Sequence, residues 1–368
     1  MTTDCLIIGG GVVGLSVAYE LACAGKSVHL VERGQLGREA SWAGAGILPA
    51  PTSRADVPGW KLLQALGYAL HQPWSERLKA ETGVDNGYRK CGGIHLARSA
   101  GEAAALRADM AELSADGVRV EALDAENLLR ELEPHLLFAR QKPSDVHAAF
   151  HLPDEAQIRN PEHLRALIAA CRLHHVTFHE ETAAESFTLA DDCITNVNTS
   201  RGIHYAGTFI ITAGAWSEAL FQSLGLTLSL YPVRGQMLLY RGERPPVSHI
   251  INEGPRYIVP RSDGRVLVGS TEEDVGFDKL TTSQGIAELR SFAEELLPAL
   301  RNAELEKTWA GLRPHAVDGF PYLGRVPHLQ NCFVAAGHYR AGLSTSTATA
   351  VLIRQMVEAA ATEFDLGE

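Results

Sequence analysis

The stretch DCLIIGGGVVG at positions 4–14 joins a short apolar run to a cluster of glycines. It predicts a strand over 4–8 and, after a tight turn, a helix over 15–24 that ends at Gly25. The residues 27–31, SVHLV, predict a second strand. Strand, glycine-rich turn, helix and strand in this order are typical of a parallel βαβ unit.

Three glycines and one acid give this unit a specific chemistry. Gly9, Gly11 and Gly14 have the GxGxxG spacing, and Glu32 directly follows the second strand. The first glycine allows the tight turn, the second lets the backbone approach a pyrophosphate, and the third lets the helix pack closely on the sheet. Free N–H groups at the helix N-terminus favour the anion. Glu32 can accept hydrogen bonds from a ribose, so the motif predicts a dinucleotide site.

The motif alone does not choose between NAD and FAD. The following loop at 37–46, GREASWAGAG, is rich in small residues. Small residues allow the backbone to pass close to a second part of a large cofactor. An isoalloxazine ring with its ribityl chain is such a part, which favours FAD.

Composition narrows the class of protein. The chain has 368 residues, with 33 basic and 44 acidic side chains and a formal charge of −11. This length predicts about two domains. The negative charge argues against nucleic acid or an anionic membrane as the main partner. The apolar run at 5–25 contains Glu20 and five glycines and has no basic region before it, so we expect neither a membrane span nor a signal peptide.

Cysteine usage predicts a reducing compartment. No two of the six cysteines have the CxxC spacing of a metal or redox site. We expect reduced thiols, a cytoplasmic location and no metal in the site.

The rest of the chain shows a change of pattern. Helices are predicted over 59–82, kinked near Pro73, and over 101–115, 124–133, 161–174 with Asn160 as the N-cap, 282–297 and 343–361. Strands are predicted over 93–97, 176–179 and 331–336, and over 194–198 and 203–211 as one hairpin. The region 228–268 is nearly all strand and antiparallel in character, with runs at 228–240, 256–260 and 265–269.

Seven segments in a fixed order carry a resemblance to a known family. They are GGGVVG with Glu32, SWAGAG (41–46), TAGAWS (212–217), YIVPRSDGRVLVGST (257–271), WAGLRP (309–314), DGFPYLG (318–324) and AAGHYRAGL (335–343). Together they resemble the D-amino-acid oxidase superfamily of FAD enzymes, and within it most the glycine oxidases of thiamine biosynthesis. The resemblance covers essentially the whole chain.

The resemblance implies an α/β fold with two parts. A Rossmann-type FAD-binding domain would be assembled from the discontinuous segments 1–90, 140–225 and 310–368. An α+β substrate domain with an antiparallel sheet would comprise 91–139 and 226–309. The shift in pattern after residue 228 agrees with this division.

The resemblance also implies an activity. An amino acid is oxidised to an imine, a hydride moves from its α-carbon to the flavin, and oxygen leaves as hydrogen peroxide. Such a site needs no residue acting as acid or base. It must hold the carboxylate, for which we predict Arg313 as a bidentate clamp and Tyr257 as a second donor. Arg340 is expected at the amine end of the substrate.

The expected cofactor contacts follow from the same resemblance. We expect FAD to bind without a covalent bond, because RPHAVDGFPYLG (313–324) lacks the cysteine of relatives that attach flavin covalently. The last helix would point its N-terminus at the flavin, where its dipole stabilises negative charge. The predicted contacts are Gly9, Gly11, Val12, Val13, Gly14, Glu32, Arg33, Ala40, Ser41, Ala45, Gly46, Ile47, Ala184, His338, Tyr339, Arg340, Ala341, Gly342, Leu343 and Ser344.

Several alternatives stay open on the sequence. The substrates are glycine, sarcosine and small D-amino acids, or the chain is a broad D-amino-acid or sarcosine oxidase. A dehydrogenase that passes electrons to a quinone, or a non-catalytic FAD subunit, would be a different class of function. For His338, the alternatives are a position that lines the flavin and a loop position without a role. For Glu272, the alternatives are a side chain that faces the pocket and one that faces solvent. The resemblance suggests a homotetramer.

Overall fold

The computed structural model describes residues 3–124, 131–136, 146–360 and 362. These residues form twenty strands, eight α-helices and two short 3₁₀ helices, Gly214–Trp216 and Pro298–Asn302. The helices are α1 Val12–Cys23, α2 Ala40–Ala43, α3 Gly59–Thr82, α4 Ala100–Ala115, α5 Asn160–Leu173, α6 Ser217–Gln222, α7 Ser283–Leu296 and α8 Ser346–Val357. The strands are β1 Thr3–Ile8, β2 Val28–Val31, β3 Ile47–Leu48, β4 Arg89–Lys90, β5 Gly93–Ala97, β6 Glu121–Ala122, β7 Ala148–Leu152, β8 Ala156–Gln157, β9 Thr177–His179, β10 Ala184–Ala190, β11 Cys193–Thr199, β12 Gly202–His204, β13 Ala206–Ile211, β14 Leu230–Arg241, β15 Ile250–Glu253, β16 Arg256–Pro260, β17 Val266–Gly269, β18 Glu304–Ala316, β19 Tyr322–Arg325 and β20 Cys332–Ala336.

A six-stranded sheet contains the predicted N-terminal unit. Its order is β19-β20-β13-β1-β2-β9, and all neighbours are parallel except β19 and β20. The strand–helix–strand prediction is therefore confirmed. Leu15, Leu167 and Ile353 of three helices share one buried apolar cluster with Ile7 of β1. This packing covers one face of the sheet with α1, α5 and α8.

An eight-stranded sheet forms the second large layer. Its order is β18-β14-β17-β16-β15-β5-β7-β6, antiparallel throughout except for the parallel pair β15 and β5. The predicted antiparallel character of residues 228–268 is confirmed. Leu289 and Phe292 of α7 pack in one cluster with Leu238 and Ile258 of the sheet.

Two local predictions need correction, and several strands were missed. Residues 203–211 do not continue the hairpin: β12 pairs with β11, whereas β13 joins the six-stranded sheet. Strands β7, β10, β18 and β19 and the two-residue strands β3, β4, β6 and β8 were not predicted. Asn160 is not an N-cap, because Arg159 precedes the helix in an extended conformation and the Asn160 amide donates to the Ser41 carbonyl at 2.8 Å.

Two further predictions concern boundaries. The helix predicted over 124–133 falls mostly outside the described residues, and the last helix is shorter than predicted.

The two-domain division stays a prediction. Strand β7, from the segment 140–225, pairs in the eight-stranded sheet, and β18 crosses the boundary at 310. Within the described part of the chain, no helix is both long and apolar enough to cross a bilayer.

Candidate active site

A cavity of about 790 Å³ lies at the carboxyl ends of the parallel strands. Loops that follow β1, β2, β13 and β20 form one side, and the eight-stranded sheet forms the other. Ligands of open α/β sheets bind at this edge, and the volume is typical of sites that enclose a whole small molecule, about 300–1,000 Å³.

The predicted residues converge on this one cavity. Of all the predicted cofactor and substrate residues, Gly14 alone does not line it. Those that do are Gly9, Gly11, Val12, Val13, Glu32, Arg33, Ala40, Ser41, Ala45, Gly46, Ile47, Ala184, Tyr257, Arg313, His338, Tyr339, Arg340, Ala341, Gly342, Leu343 and Ser344. Their binding roles stay predictions.

The glycine-rich turn has no room for side chains at two of its positions. A Cβ at Gly9, which has φ of 111°, would lie 2.5 Å from the Thr212 carbonyl oxygen. A Cβ at Gly14 would lie 2.0 Å from the Gly9 carbonyl oxygen. Gly14 therefore serves the predicted close packing of helix on turn, which explains why it is absent from the cavity wall. The Val12 amide in the first turn of α1 donates to the Ser41 hydroxyl at 2.8 Å, and both residues line the cavity.

Glu32 is fixed at the end of β2. Its side chain is buried, and its carboxylate accepts backbone hydrogen bonds from Gly10 at 2.7 Å and Gly34 at 2.9 Å. Each oxygen keeps a lone pair for a further donor. This arrangement suits the predicted contact with a ribose hydroxyl.

A buried arginine holds the small-residue loop in place. Arg261 donates to the carbonyl oxygens of Ala45 at 2.6 Å and Ile158 at 3.1 Å, and to the side chain of Gln157 at 2.8 Å. Burial lowers the pKa of its guanidinium to about 10, so it stays charged at neutral pH. The sequence predictions missed this role, although the arginine belongs to the quoted segment YIVPR.

The cavity wall fits the predicted flavin cofactor. Asn160 lines the cavity, and its amide donates to the Ser41 carbonyl at 2.8 Å, which holds the small-residue loop along the wall. Beside it, Gly44 and Ala45 present almost no side chain, as a close approach to a flat ring requires.

At the other end, the register of the eight-stranded sheet places a row of side chains on the cavity wall. Arg313 pairs with Val233 and Gly311 with Gly235 across β18 and β14. Gly269 faces Tyr257 across β17 and β16.

Two glycines make room for the predicted clamp. A Cβ at Gly235 would lie 2.1 Å from the Arg313 Nη2 atom, and a Cβ at Gly269 would lie 2.7 Å from the Tyr257 hydroxyl oxygen. Both long side chains therefore lie flat over glycines of neighbouring strands. This brings the guanidinium and the phenol to the middle of the sheet surface.

Arg313 has only neutral partners among the described residues. Its Nη1 donates to the Thr271 carbonyl at 3.1 Å and its Nη2 to the Ser270 hydroxyl at 2.6 Å. Tyr257 is buried, and its hydroxyl lies 3.5 Å from the Met237 sulfur, which is a weak acceptor. A positive charge and an O–H donor are thus both available to an incoming carboxylate.

The loop after β20 closes the cavity. His338 is buried against Thr349, and burial lowers the pKa of its imidazole to about 4, so the ring is neutral. Tyr339 donates to the Glu272 carboxylate at 2.7 Å, and burial, with this hydrogen bond, raises the pKa of the phenol to about 12. Glu272 also pairs with Arg340 at 3.2 Å, and both are more than a third exposed. Glu272 therefore lies outside the wall and holds Arg340 at the mouth.

A polar cluster on the wall was not predicted. His95 Nε2 contacts the buried Glu155 carboxylate at 2.7 Å, and the Asn252 amide donates to the same carboxylate at 3.3 Å. Strand pairing places Asn252 between Tyr257 and His95. The alternation of GIHLA (93–97) marks His95 as a polar residue of an otherwise apolar strand, a signal that could have found it.

Comparison with known proteins identifies the chain as an FAD-dependent oxidoreductase. Residues 4–356 match the model of the FAD dependent oxidoreductase family, DAO. The chain belongs to this family.

Particular relatives narrow the comparison. The chain is 34% identical to a glycine oxidase of Pseudomonas putida over 98% of its own length and 96% of that protein. Its fold matches the crystal structure of glycine oxidase from Geobacillus kaustophilus with a TM-score of 0.92 and 32% identity, covering 99% and 97% of the two chains. It is also 31% identical to a bifunctional protein ThiO/ThiG of Trichormus variabilis, covering 97% of this chain and 53% of that protein.

Proposed function

We propose that this enzyme oxidises glycine and small amino compounds, namely sarcosine, D-alanine and D-proline, with oxygen as the electron acceptor. The observation that carries the proposal is the Arg313 guanidinium. It faces the cavity beside the Tyr257 hydroxyl and has only neutral partners among the described residues. A buried or half-buried cation of this kind favours a carboxylate ligand.

The residues of the chain bind and orient the substrate. Arg313 grips the carboxylate through two parallel hydrogen bonds, and Tyr257 donates a third. With the carboxylate fixed, the α-carbon is held toward the part of the cavity walled by Ala45 and Ile47. Ala45 and Ile47 would hold FAD here, and the cofactor would supply the acceptor for the hydride of the Cα–H bond and the route of the electrons to oxygen, which leaves as hydrogen peroxide. Fixing the reacting atoms in this way lowers the barrier by several kcal/mol.

No acid or base is assigned. Tyr339 and His338 both line the cavity, and both are neutral near pH 7, because burial lowers the pKa of the His338 imidazole to about 4 and the pKa of the Tyr339 phenol is about 12. Arg340 lines the mouth of the cavity, where the Glu272 carboxylate balances its charge, and its place at the amine end stays a proposal.

We further propose non-covalent FAD and a role in making the thiazole of thiamine. The likeness to the bifunctional ThiO/ThiG protein supports the second point. The cytoplasmic location and the homotetramer stay predictions. Size-exclusion chromatography with light scattering tests the oligomer, and acid precipitation that leaves all flavin in solution tests the non-covalent link.

A peroxide-release assay tests the activity. Purified yellow protein is offered glycine, sarcosine, D-alanine, D-proline and L-alanine in air, and the flavin spectrum is followed without air. Peroxide from glycine and the D-series but not from L-alanine supports the proposal. Flavin bleaching without peroxide in air points to a dehydrogenase instead. If FAD is bound and neither peroxide release nor flavin bleaching is observed, the proposed substrates are refuted.

A further inference from the structure

Three histidines meet on the outer side of the nucleotide-binding half, away from the cavity wall. His29 lies on β2, His179 on the neighbouring parallel strand β9, and His204 at the end of β12. Strand β9 is the outer strand of the six-stranded sheet, and β12 is an outer strand of the small sheet β10-β11-β12. The three rings therefore lie where the edges of two sheets come together.

Their spacing matches that of metal ligands. His179 Nε2 lies 3.4 Å from His29 Nδ1, and one nitrogen from each of the three rings lies within 4.8 Å of the other two. A tetrahedral ion with metal–nitrogen bonds of about 2.0–2.1 Å needs ligand nitrogens about 3.4 Å apart. One edge of the tetrahedron already has this length, and side-chain rotation alone can shorten the others.

The rings are also in the right chemical state. Among the described residues, no carboxylate forms a hydrogen bond or ion pair with any of the three. No carboxylate therefore holds a proton on these rings, and neutral imidazole is the form that binds a transition metal.

We propose that His29, His179 and His204 form a binding site for one divalent transition-metal ion of borderline softness, such as Zn²⁺. Three neutral nitrogen ligands suit Zn²⁺, Ni²⁺, Cu²⁺ or Co²⁺ and do not suit Mg²⁺ or Ca²⁺, which take oxygen ligands. Water completes the tetrahedron, since all three residues are only half-buried. The ion links the two sheets across their edges.

Two of the three histidines lie close along the chain to the end of the cavity that we propose for FAD. His29 on β2 precedes Glu32 by three residues, and His179 at the end of β9 precedes Thr182 by three residues. Both Glu32 and Thr182 line the cavity. The Glu32 amide also donates to the His179 carbonyl at 2.9 Å. An ion bound here would fix the two strand ends that carry these residues.

The test uses untagged FAD-loaded protein, because an affinity tag of histidines would bind the same ions. The protein is stripped with a chelator and dialysed against buffered Zn²⁺, and bound metal and Tm are measured. We expect one Zn²⁺ per chain and a Tm that rises with Zn²⁺ but not with Mg²⁺. Substituting a residue that only hydrogen-bonds to a metal ligand weakens metal binding by roughly 10- to 100-fold. His204→Ala removes a ligand itself, so we expect its affinity for Zn²⁺ to fall by at least this factor.

Two further variants make the result decisive. His147→Ala removes an exposed histidine beside β7 and should bind Zn²⁺ like the wild type. His204→Gln keeps a polar side chain of similar size and replaces the alanine variant if that variant does not fold. Retained flavin absorbance shows that a variant is folded. Absence of stoichiometric binding in the wild type, or undiminished binding in a folded His204 variant, overturns the proposal.

Discussion

The two ends of the cavity are built from different parts of the polypeptide. The end that we propose for FAD, the cofactor end, consists of backbone and small residues around Gly9, Gly11 and the loop 40–47. The end that we propose for the substrate, the substrate end, consists of long side chains, Arg313 and Tyr257, that lie over Gly235 and Gly269 on a sheet. The cofactor end therefore offers N–H groups and close approach, whereas the substrate end offers charge and specific donors.

This difference predicts opposite responses to substitution. The cofactor end should be damaged by atoms that are added, because its ligand lies against the backbone. The substrate end should be damaged by atoms that are removed from its side chains, or added in the space beneath them.

The largest effect is expected for Gly11→Asp. A Cβ here meets only the Ser41 hydroxyl, at 3.1 Å, so the chain should fold, and aspartate is a good residue before a helix. Its carboxylate would meet the pyrophosphate, and two like charges about 4 Å apart cost about 4 kcal/mol in a partly buried site. Flavin absorbance after dialysis measures the loss of FAD. Gly101→Asp, at an open position of α4, is the matched control and should stay yellow.

The next effect is expected for Arg313→Ala. Truncating one partner of a hydrogen-bonded charge pair costs about 2–5 kcal/mol, so kcat/KM for glycine should fall roughly 30- to 4,000-fold. FAD content should not change, because Arg313 lies at the substrate end. Arg313→Lys keeps the charge without the planar fork and should recover only part of the activity. Unchanged turnover with glycine in the alanine variant would refute the clamp.

A smaller loss is expected for Gly235→Ala. The added Cβ would collide with the end of the flexible Arg313 side chain and displace it. We expect kcat/KM to fall roughly 10- to 100-fold, as misplacement by about 1 Å can cause, with little change in Tm. Gly242→Ala, just beyond the same strand, makes only ordinary contacts and is the control. A lower Tm with unchanged activity would contradict the interpretation that Gly235 makes room for the Arg313 side chain.

The smallest effect is expected for Glu272→Gln at the mouth. The exposed Glu272–Arg340 pair contributes little to stability, about 0–1 kcal/mol. Removing its negative charge should raise kcat/KM for D-aspartate relative to D-alanine by up to about fivefold at low salt, and less at high salt. Glu185→Gln, exposed on β10, should leave this ratio as it is in the wild type. An unchanged ratio in Glu272→Gln would show that the carboxylate does not act on entering substrates.

Sequence patterns predicted the N-terminal strand–turn–helix–strand unit correctly because its determinants are contiguous. The turn at Gly9, the helix after it and Glu32 all lie within thirty residues, and local spacing alone decides their geometry. Strand β18 was missed because WAGLRP contains a glycine and a proline. The edge position of β18 in the sheet explains how Pro314 is tolerated there.

Features made by distant residues could not be predicted in the same way. The contact of His95 with Glu155 depends on the pairing of β5 with β7 and β15. The histidines at 29, 179 and 204 meet only because two sheets share an edge. Asn160 was predicted to cap its own helix. Its amide instead donates to the Ser41 carbonyl, which lies more than one hundred residues away in the chain.

The most direct test of the central claim, that Arg313 holds the substrate carboxylate, compares glycine with glycinamide. Peroxide release is measured for both compounds in the wild type and in Arg313→Ala over a range of pH, and the rates are compared per neutral amine because the two amines have different pKa values. We expect a strong preference for glycine in the wild type that largely disappears in the variant. The same preference in both proteins would contradict it, because the carboxylate would then be recognised elsewhere.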